Sequence, residues 1–133
     1  MRIVQEELVV DFYGEWPSFH DAEILRVELS RGRVAGQYSN LRVYINYATF
    51  KRVSAEDPLS EFVRDTDKVI VIDFYQVEDL ALDGFNYQNV IFELKISELS
   101  ECIDVVFESS FGMQLYFKCK DIAVISISDT IEG

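Results

Sequence analysis

The stretch Ile103-Asp104-Val105-Val106-Phe107-Glu108-Ser109-Ser110-Phe111-Gly112-Met113-Gln114-Leu115-Tyr116-Phe117-Lys118-Cys119-Lys120 decides the fold class. Ile103, Val105 and Phe107 recur at every second position, and after Gly112 so do Met113, Leu115, Phe117 and Cys119, between Gln114, Tyr116, Lys118 and Lys120. Period two is the spacing at which side chains of an extended chain share one face, so the stretch predicts a hairpin of two half-buried strands turning at Gly112. Downstream, Ile122 to Ser128 reads as a last strand. Upstream, Val90 to Ser97 points Val90, Phe92, Leu94 and Ile96 inward, and Asp83-Gly84 supplies a turn joining it to Leu80-Ala81-Leu82 as a further hairpin.

The same pattern continues towards the N-terminus. Lys68 to Val77 carries Val69, Ile70, Val71, Ile72, Phe74 and Val77, apolar on both faces, which predicts a central strand with something packed over each side. Leu41, Val43, Ile45 and Tyr47 alternate with polar or small neighbours, as do Leu25, Val27 and Leu29 with Arg26, Glu28 and Ser30, and the Arg31-Gly32-Arg33 step predicts a tight turn between these two runs. Two segments read as helices. Val4 to Tyr13 spaces Val4, Leu8 and Phe12 by four, and Ser54 to Asp65 sets Ser54 three places before Asp57, with Pro58 in the first turn and Leu59, Phe62 and Val63 behind it. The expected fold is mainly β, a single antiparallel β domain of about seven to eight strands over residues 1–133 with one or two short helices.

Composition bounds the rest. Of 133 residues, 49% are apolar and 14% aromatic, enough for a core without metal or disulfide staples. Twelve Lys and Arg against twenty-four Asp and Glu give a net charge of −12, which argues against an unaided nucleic-acid binder, since phosphate backbones demand basic patches. The longest apolar run, Val69 to Ile72, is far too short for a membrane helix. Acids break the N-terminal segment Met1-Arg2-Ile3-Val4-Gln5-Glu6-Glu7 before a signal-peptide core develops, so the expected location is cytoplasmic. Cys102 and Cys119 could meet on neighbouring strands, but that compartment favours reduced thiols.

No pattern for chemistry stands out. A nucleophile–base pair needs a His beside a Ser or Cys, and the one His, His20, sits in Pro17-Ser18-Phe19-His20-Asp21, where turn chemistry favours a backbone-bonding role. C-x-x-C, H-E-x-x-H, calcium-loop, G-x-G-x-x-G and phosphate-loop patterns are all missing, so no metal, no cofactor and no enzyme activity are expected. Acids run in three groups: Glu56, Asp57, Glu61, Asp65 and Asp67; Glu78, Asp79 and Asp83; and Glu98, Glu101, Asp104 and Glu108. These read either as a solvated face or as a surface for a basic partner. Outward tyrosines such as Tyr44 and Tyr116 are efficient interface anchors, so the candidate partner-binding set is Glu56, Asp57, Glu61, Asp65, Glu78, Asp79, Asp83, Tyr44 and Tyr116.

Two segments resemble a known family. Phe12-Tyr13-Gly14-Glu15-Trp16-Pro17-Ser18-Phe19-His20-Asp21-Ala22-Glu23-Ile24, and Val71-Ile72-Asp73-Phe74-Tyr75-Gln76-Val77-Glu78-Asp79-Leu80-Ala81-Leu82-Asp83-Gly84-Phe85-Asn86, are similar to immunity protein 50 family members, and the closing strands fit the same layout. The resemblance implies a small bacterial protein of polymorphic toxin systems that binds and neutralises a cognate toxin, with no catalytic residue to transfer. It singles out Trp16, Pro17, Phe19, His20, Asp21 and Glu23, together with Glu78, Asp79, Leu80, Gly84 and Phe85. Trp16 and Phe19 read either as a hydrophobic plug at the entrance to the first strand or as toxin contacts. The expected partner is therefore a protein toxin, a basic one suiting the acidic charge, met as monomer or homodimer. The alternatives are a small barrel or sandwich holding an apolar ligand, or a hydrolase using His20.

Overall fold

The structure is a computed structural model that describes residues 3–31 and 38–129. One short helix, α1 (Glu7–Tyr13), precedes eight strands: β1 (Glu23–Arg31), β2 (Ser39–Arg52), β3 (Phe62–Tyr75), β4 (Glu78–Asp83), β5 (Val90–Glu98), β6 (Ile103–Phe111), β7 (Gln114–Cys119) and β8 (Asp121–Ser128). They form one sheet in the order β4-β7-β6-β5-β1-β2-β3-β8, and every neighbouring pair is antiparallel. The predicted β6–β7 hairpin forms, with Ile103 opposite Cys119 and Phe107 opposite Leu115. Gly112 takes the left-handed backbone that the turn requires, φ +84°.

The sheet folds over on itself at the junction of β1 and β5. β1 and β5 share a single register pair, Glu23 with Val90, so the β8-β3-β2-β1 half folds over the β5-β6-β7-β4 half. Phe74 of β3 meets Phe107 of β6 and Phe117 of β7 edge-on, at ring-centroid distances of 6.2 and 4.9 Å. These rings occupy the space between the halves where the apolar-ligand alternative would place its guest. Asn89, 4% exposed, ties the junction: its Oδ1 accepts the backbone N–H groups of Asn86 and Met113, and its Nδ2 donates to the Asn86 carbonyl.

Several local expectations change. Ser54–Asp65 is not a helix: Ser54–Ser60 forms a hydrogen-bonded loop, and Phe62–Asp65 already belongs to β3, so Leu59, Phe62 and Val63 line no helix face and are exposed. The N-terminal helix begins only at Glu7, because Gln5 has φ +58° and Val4 bridges to Ala123 of β8 in parallel. β4 does not pair with β5; after the Gly84 turn the chain crosses over, and β4 lies beside β7 at the sheet edge. The Arg31-Gly32-Arg33 turn lies outside the described residues.

Two β-bulges reset the alternation. Between Ile24 and Arg26 the register with β2 slips, so Ile24 and Val27 face the core and Leu25 stands 39% exposed. Around Ile91 a double irregularity buries Ile91 and Leu94 and turns Phe92 out, 49% exposed, against the inward orientation that its spacing predicts. β3 is apolar on both faces as expected, but no described element packs over its second face. Tyr44, Val69, Val71 and Ile125 cluster there, under the Arg26 guanidinium, which lies 5.1 Å from the Tyr44 ring centroid.

Candidate functional site

The outer face of β5-β6-β7-β4 is built by cross-strand pairs, since opposed residues share a face. Lys95 stands opposite Val106, Glu93 opposite Glu108, Val106 opposite Tyr116, Tyr116 opposite Ala81, and Asp104 and Glu78 both opposite Lys118. The result is a groove of about 690 Å³ with Phe92, Val106, Tyr116 and Ala81 among its lining and Asp83, Glu108 and Gln114 at its polar margins.

Its charges are only partly compensated. Lys95 Nζ lies 2.8 Å from Glu108 Oε1 and 3.9 Å from Glu93 Oε2, and the Glu108 hydrogen bond holds the ammonium pKa above its ordinary value. Tyr116 Oη donates to Asp104 Oδ1 at 3.3 Å; desolvation first, and then the Asp104 charge, push its phenol up. Such a face offers a fixed aromatic, an apolar floor and carboxylates at the rim, which is chemistry for docking a protein surface.

The candidate residues divide. Tyr116, Glu78 and Asp83 meet on this face, and Asp79 sits beside them in a left-handed backbone, φ +55°. Glu56, Asp57, Glu61 and Asp65 lie at the other end of β3, whose 14 residues span about 43 Å along the strand path. No compact contact patch contains both groups. Tyr44 is on an outer face but only 7% exposed, roofed by Arg26, so it offers no free ring. Phe92 and Val106 belong to the groove yet escape the sequence reading: strict alternation points Phe92 inward, and Val106 sits outward within an apolar run. Asp104 and Glu108 were legible as a charge run, but only strand pairing sets them next to Tyr116.

The early motif forms a plug. Phe19 is completely buried with φ +61°, its ring 5.7 Å from Trp16 and 5.4 Å from Tyr47, and Pro17 is buried beside it. Trp16 packs on the core and lines a second hollow, of about 510 Å³, with Ile3, Glu6 and the outer stretch of β5. His20 is exposed in the turn; its Nδ1 lies 2.7 Å from the Phe92 carbonyl, which can only accept, so that nitrogen carries the proton. Its Nε2 lies 3.6 Å from the exposed Asp21, and its ring meets Phe92 edge-on at 5.4 Å. Glu23, half-buried, begins β1 at the junction of the halves.

Among the described residues no group of three or more His, Cys, Asp and Glu is arranged to hold a metal. Cys102 and Cys119 are free thiols, and burial, followed by the nearby Asp121 and Cys102, pushes the Cys119 thiol up to about 12. No described helix is long and apolar enough to cross a membrane.

A family model described as Immunity protein 50 covers residues 5–129, from the start of α1 through the plug, both acidic ends of β3 and the groove face to the end of β8. No curated protein matches, and no solved structure does. Since that match takes in nearly the whole chain, the protein belongs to the Immunity protein 50 family.

Proposed function

We propose that this chain neutralises a bacterial toxin domain of a polymorphic toxin system by docking its acidic, tyrosine-bearing β5-β6-β7-β4 face over the toxin's active site. The observation that carries this reading is the juxtaposition of Tyr116, Phe92 and Val106 with Glu78, Asp83, Asp104 and Glu108 on one face, in a chain of an immunity family. The protein performs no chemistry; inhibition is steric and electrostatic. It acts in the cytoplasm, on a toxin whose active-site surface is basic. A net charge of −12 speeds encounter with such a surface, and the benefit fades as salt shortens the Debye length from about 10 Å at 0.1 M to about 3 Å at 1 M.

The test is co-expression with the toxin domain encoded beside this chain's gene, scoring growth and recovery of a stoichiometric complex. Wild type is expected to rescue growth and co-purify. Tyr116→Ala combined with Asp83→Lys and Glu108→Lys should weaken the complex by at least about tenfold, with a smaller salt dependence than wild type. Full protection by that triple variant would remove the face from the mechanism.

A further inference from the structure

β2 and β3 are longer than anything beside them. β1 pairs with β2 only as far as Asn46, and β8 pairs with β3 only from Val69 onwards, so Tyr47–Arg52 and Phe62–Lys68 pair with each other alone. Beyond the Thr49–Thr66 hydroxyl contact, this ribbon leaves the body as an arm, and Thr49 to Val53 alone extends it by about 13 Å. A two-stranded ribbon in water is marginal unless something braces or covers it.

The arm is braced from within. Lys51 pairs with Asp65 at 3.4 Å and Arg64 with Asp67 at 2.8 Å. The Arg52 guanidinium lies 4.4 Å from the Phe62 ring centroid and donates to the Ser60 carbonyl at 3.0 Å. Ser60 Oγ bonds to the carbonyls of Ser54 and Asp57, and Asp57 Oδ1 accepts the Leu59 N–H, so the tip loop has a defined shape. Lys51, Arg52 and Arg64 thus each have a partner within the ribbon and its loop. Its tip differs. Glu56, Asp57 and Glu61 pair with no cation among the described residues, and among and beside them stand Leu59, 91% exposed, Val53, 65%, and Phe62, 61%.

We infer that this arm is the anchor of the immunity complex, its apolar tip entering a cleft of the toxin whose floor is apolar and whose mouth is lined by Lys or Arg. The inference rests on the proposed toxin-neutralising role and adds to the groove face a second, separate contact. Side chains so exposed supply the desolvation that anchors an interface, and the three uncompensated carboxylates complement a basic rim. The pre-shaped loop lowers the ordering cost of insertion. Like charge at the tip disfavours a second copy of this chain as the occupant.

Leu59→Ser and Glu56→Lys/Glu61→Lys alter only exposed side chains that do not brace the loop and should leave the melting temperature unchanged. A third variant replaces residues 54–60 by Asn-Gly, which closes the ribbon as a two-residue hairpin. The probe is the toxin domain encoded beside the gene, measured by titration calorimetry and growth rescue. Expected are an affinity loss of at least about 30-fold for Leu59→Ser and for the shortened arm, and loss of rescue for the latter. Variants that bind and protect like wild type overturn the arm while leaving the toxin-neutralising role intact. Wild type that neither binds nor protects overturns both. A wild-type dimer that Leu59→Ser turns into a monomer assigns the tip to a second copy and overturns the toxin anchor.

Discussion

Arg42 and Asp73 form a two-pronged ion pair across β2 and β3, Nε to Oδ1 at 2.6 Å and Nη2 to Oδ2 at 2.8 Å, on the sheet face that no described element covers. The bond to Asp73 raises the guanidinium pKa above its ordinary value. Tyr75 Oη adds a third donor to the same carboxylate at 3.3 Å. Asp73 is nearly buried, so Arg42→Met strands a carboxylate and should destabilise by about 2 to 3 kcal/mol, the partial exposure of Arg42 keeping the loss below that of a fully buried pair. Replacing both residues with apolar ones should recover most of that loss. Urea unfolding of the single and double variants measures the difference.

Phe74 should be the costliest ring to lose. It is fully buried and touches rings on the opposite half-sheet, so Phe74→Ala opens a cavity that neither half can close alone. The expected loss is about 3 to 5 kcal/mol, read as a lower urea midpoint. A loss below about 1 kcal/mol would mean that the two halves do not meet at this ring.

Gly112 and Gly14 both hold left-handed backbone, yet they should respond differently to alanine. A Cβ at Gly112 would stand 2.2 Å from the Gln88 carbonyl oxygen and 2.8 Å from Asn89 Oδ1, breaking into the knot that joins the half-sheets. Around Gly14 there is open space. Gly112→Ala should therefore cost about 3 kcal/mol or more, against about 1 kcal/mol for Gly14→Ala, where only backbone strain acts. Thermal melts of the pair give the ordering.

Alkali should unfold the protein earlier than its charge alone requires. Cys119 titrates near 9 when exposed and at about 12 when folded, and Tyr13 moves from 10 to about 12 through burial, with Tyr47 and Asp67 adding to it. Both groups are neutral when protonated and are raised on folding, so the folded state holds more protons between these values and stability falls as pH rises from 9 to 12. Cys119→Ala should flatten the first part of that fall in a series of melts. In the folded protein at neutral pH, a thiol reagent should label Cys102 and spare Cys119.

Period two makes β1, β2, β5, β6 and β7 legible because one face of each meets the core, and Met113, Leu115 and Phe117 show it without interruption; β3 is legible instead from its apolar run Val69 to Ile72, and β4 only from the turn at Asp83-Gly84. What it cannot encode is a bulge: nothing in the composition around Leu25 or Phe92 marks an extra residue, and each bulge reverses which neighbour points inward. The false helix at Ser54–Asp65 has a related cause. Leu59, Phe62 and Val63 match helical spacing, but local pattern cannot distinguish a buried stripe from exposed residues at the end of a ribbon. Pairing between distant strands also lies beyond local spacing, so the Asp83-Gly84 turn points β4 towards β5, and charge alone groups acidic runs that lie apart by the length of β3. The family motif was readable for the opposite reason, since Trp16 to Ile24 is contiguous in sequence and in space.

The position of β8 has a kinetic consequence. Ile70 pairs with Ile127 and Phe74 with Ile122, so the second edge of the most apolar strand is closed by residues synthesised much later. Until β8 arrives, β3 offers an unpaired ladder of amides and carbonyls flanked by Val69 to Ile72, the kind of edge that recruits strands from other chains. The nascent protein is therefore most prone to aggregate in the interval between completion of β3 and docking of β8, and a chaperone that shields this edge should raise its yield more than one that acts on the finished fold.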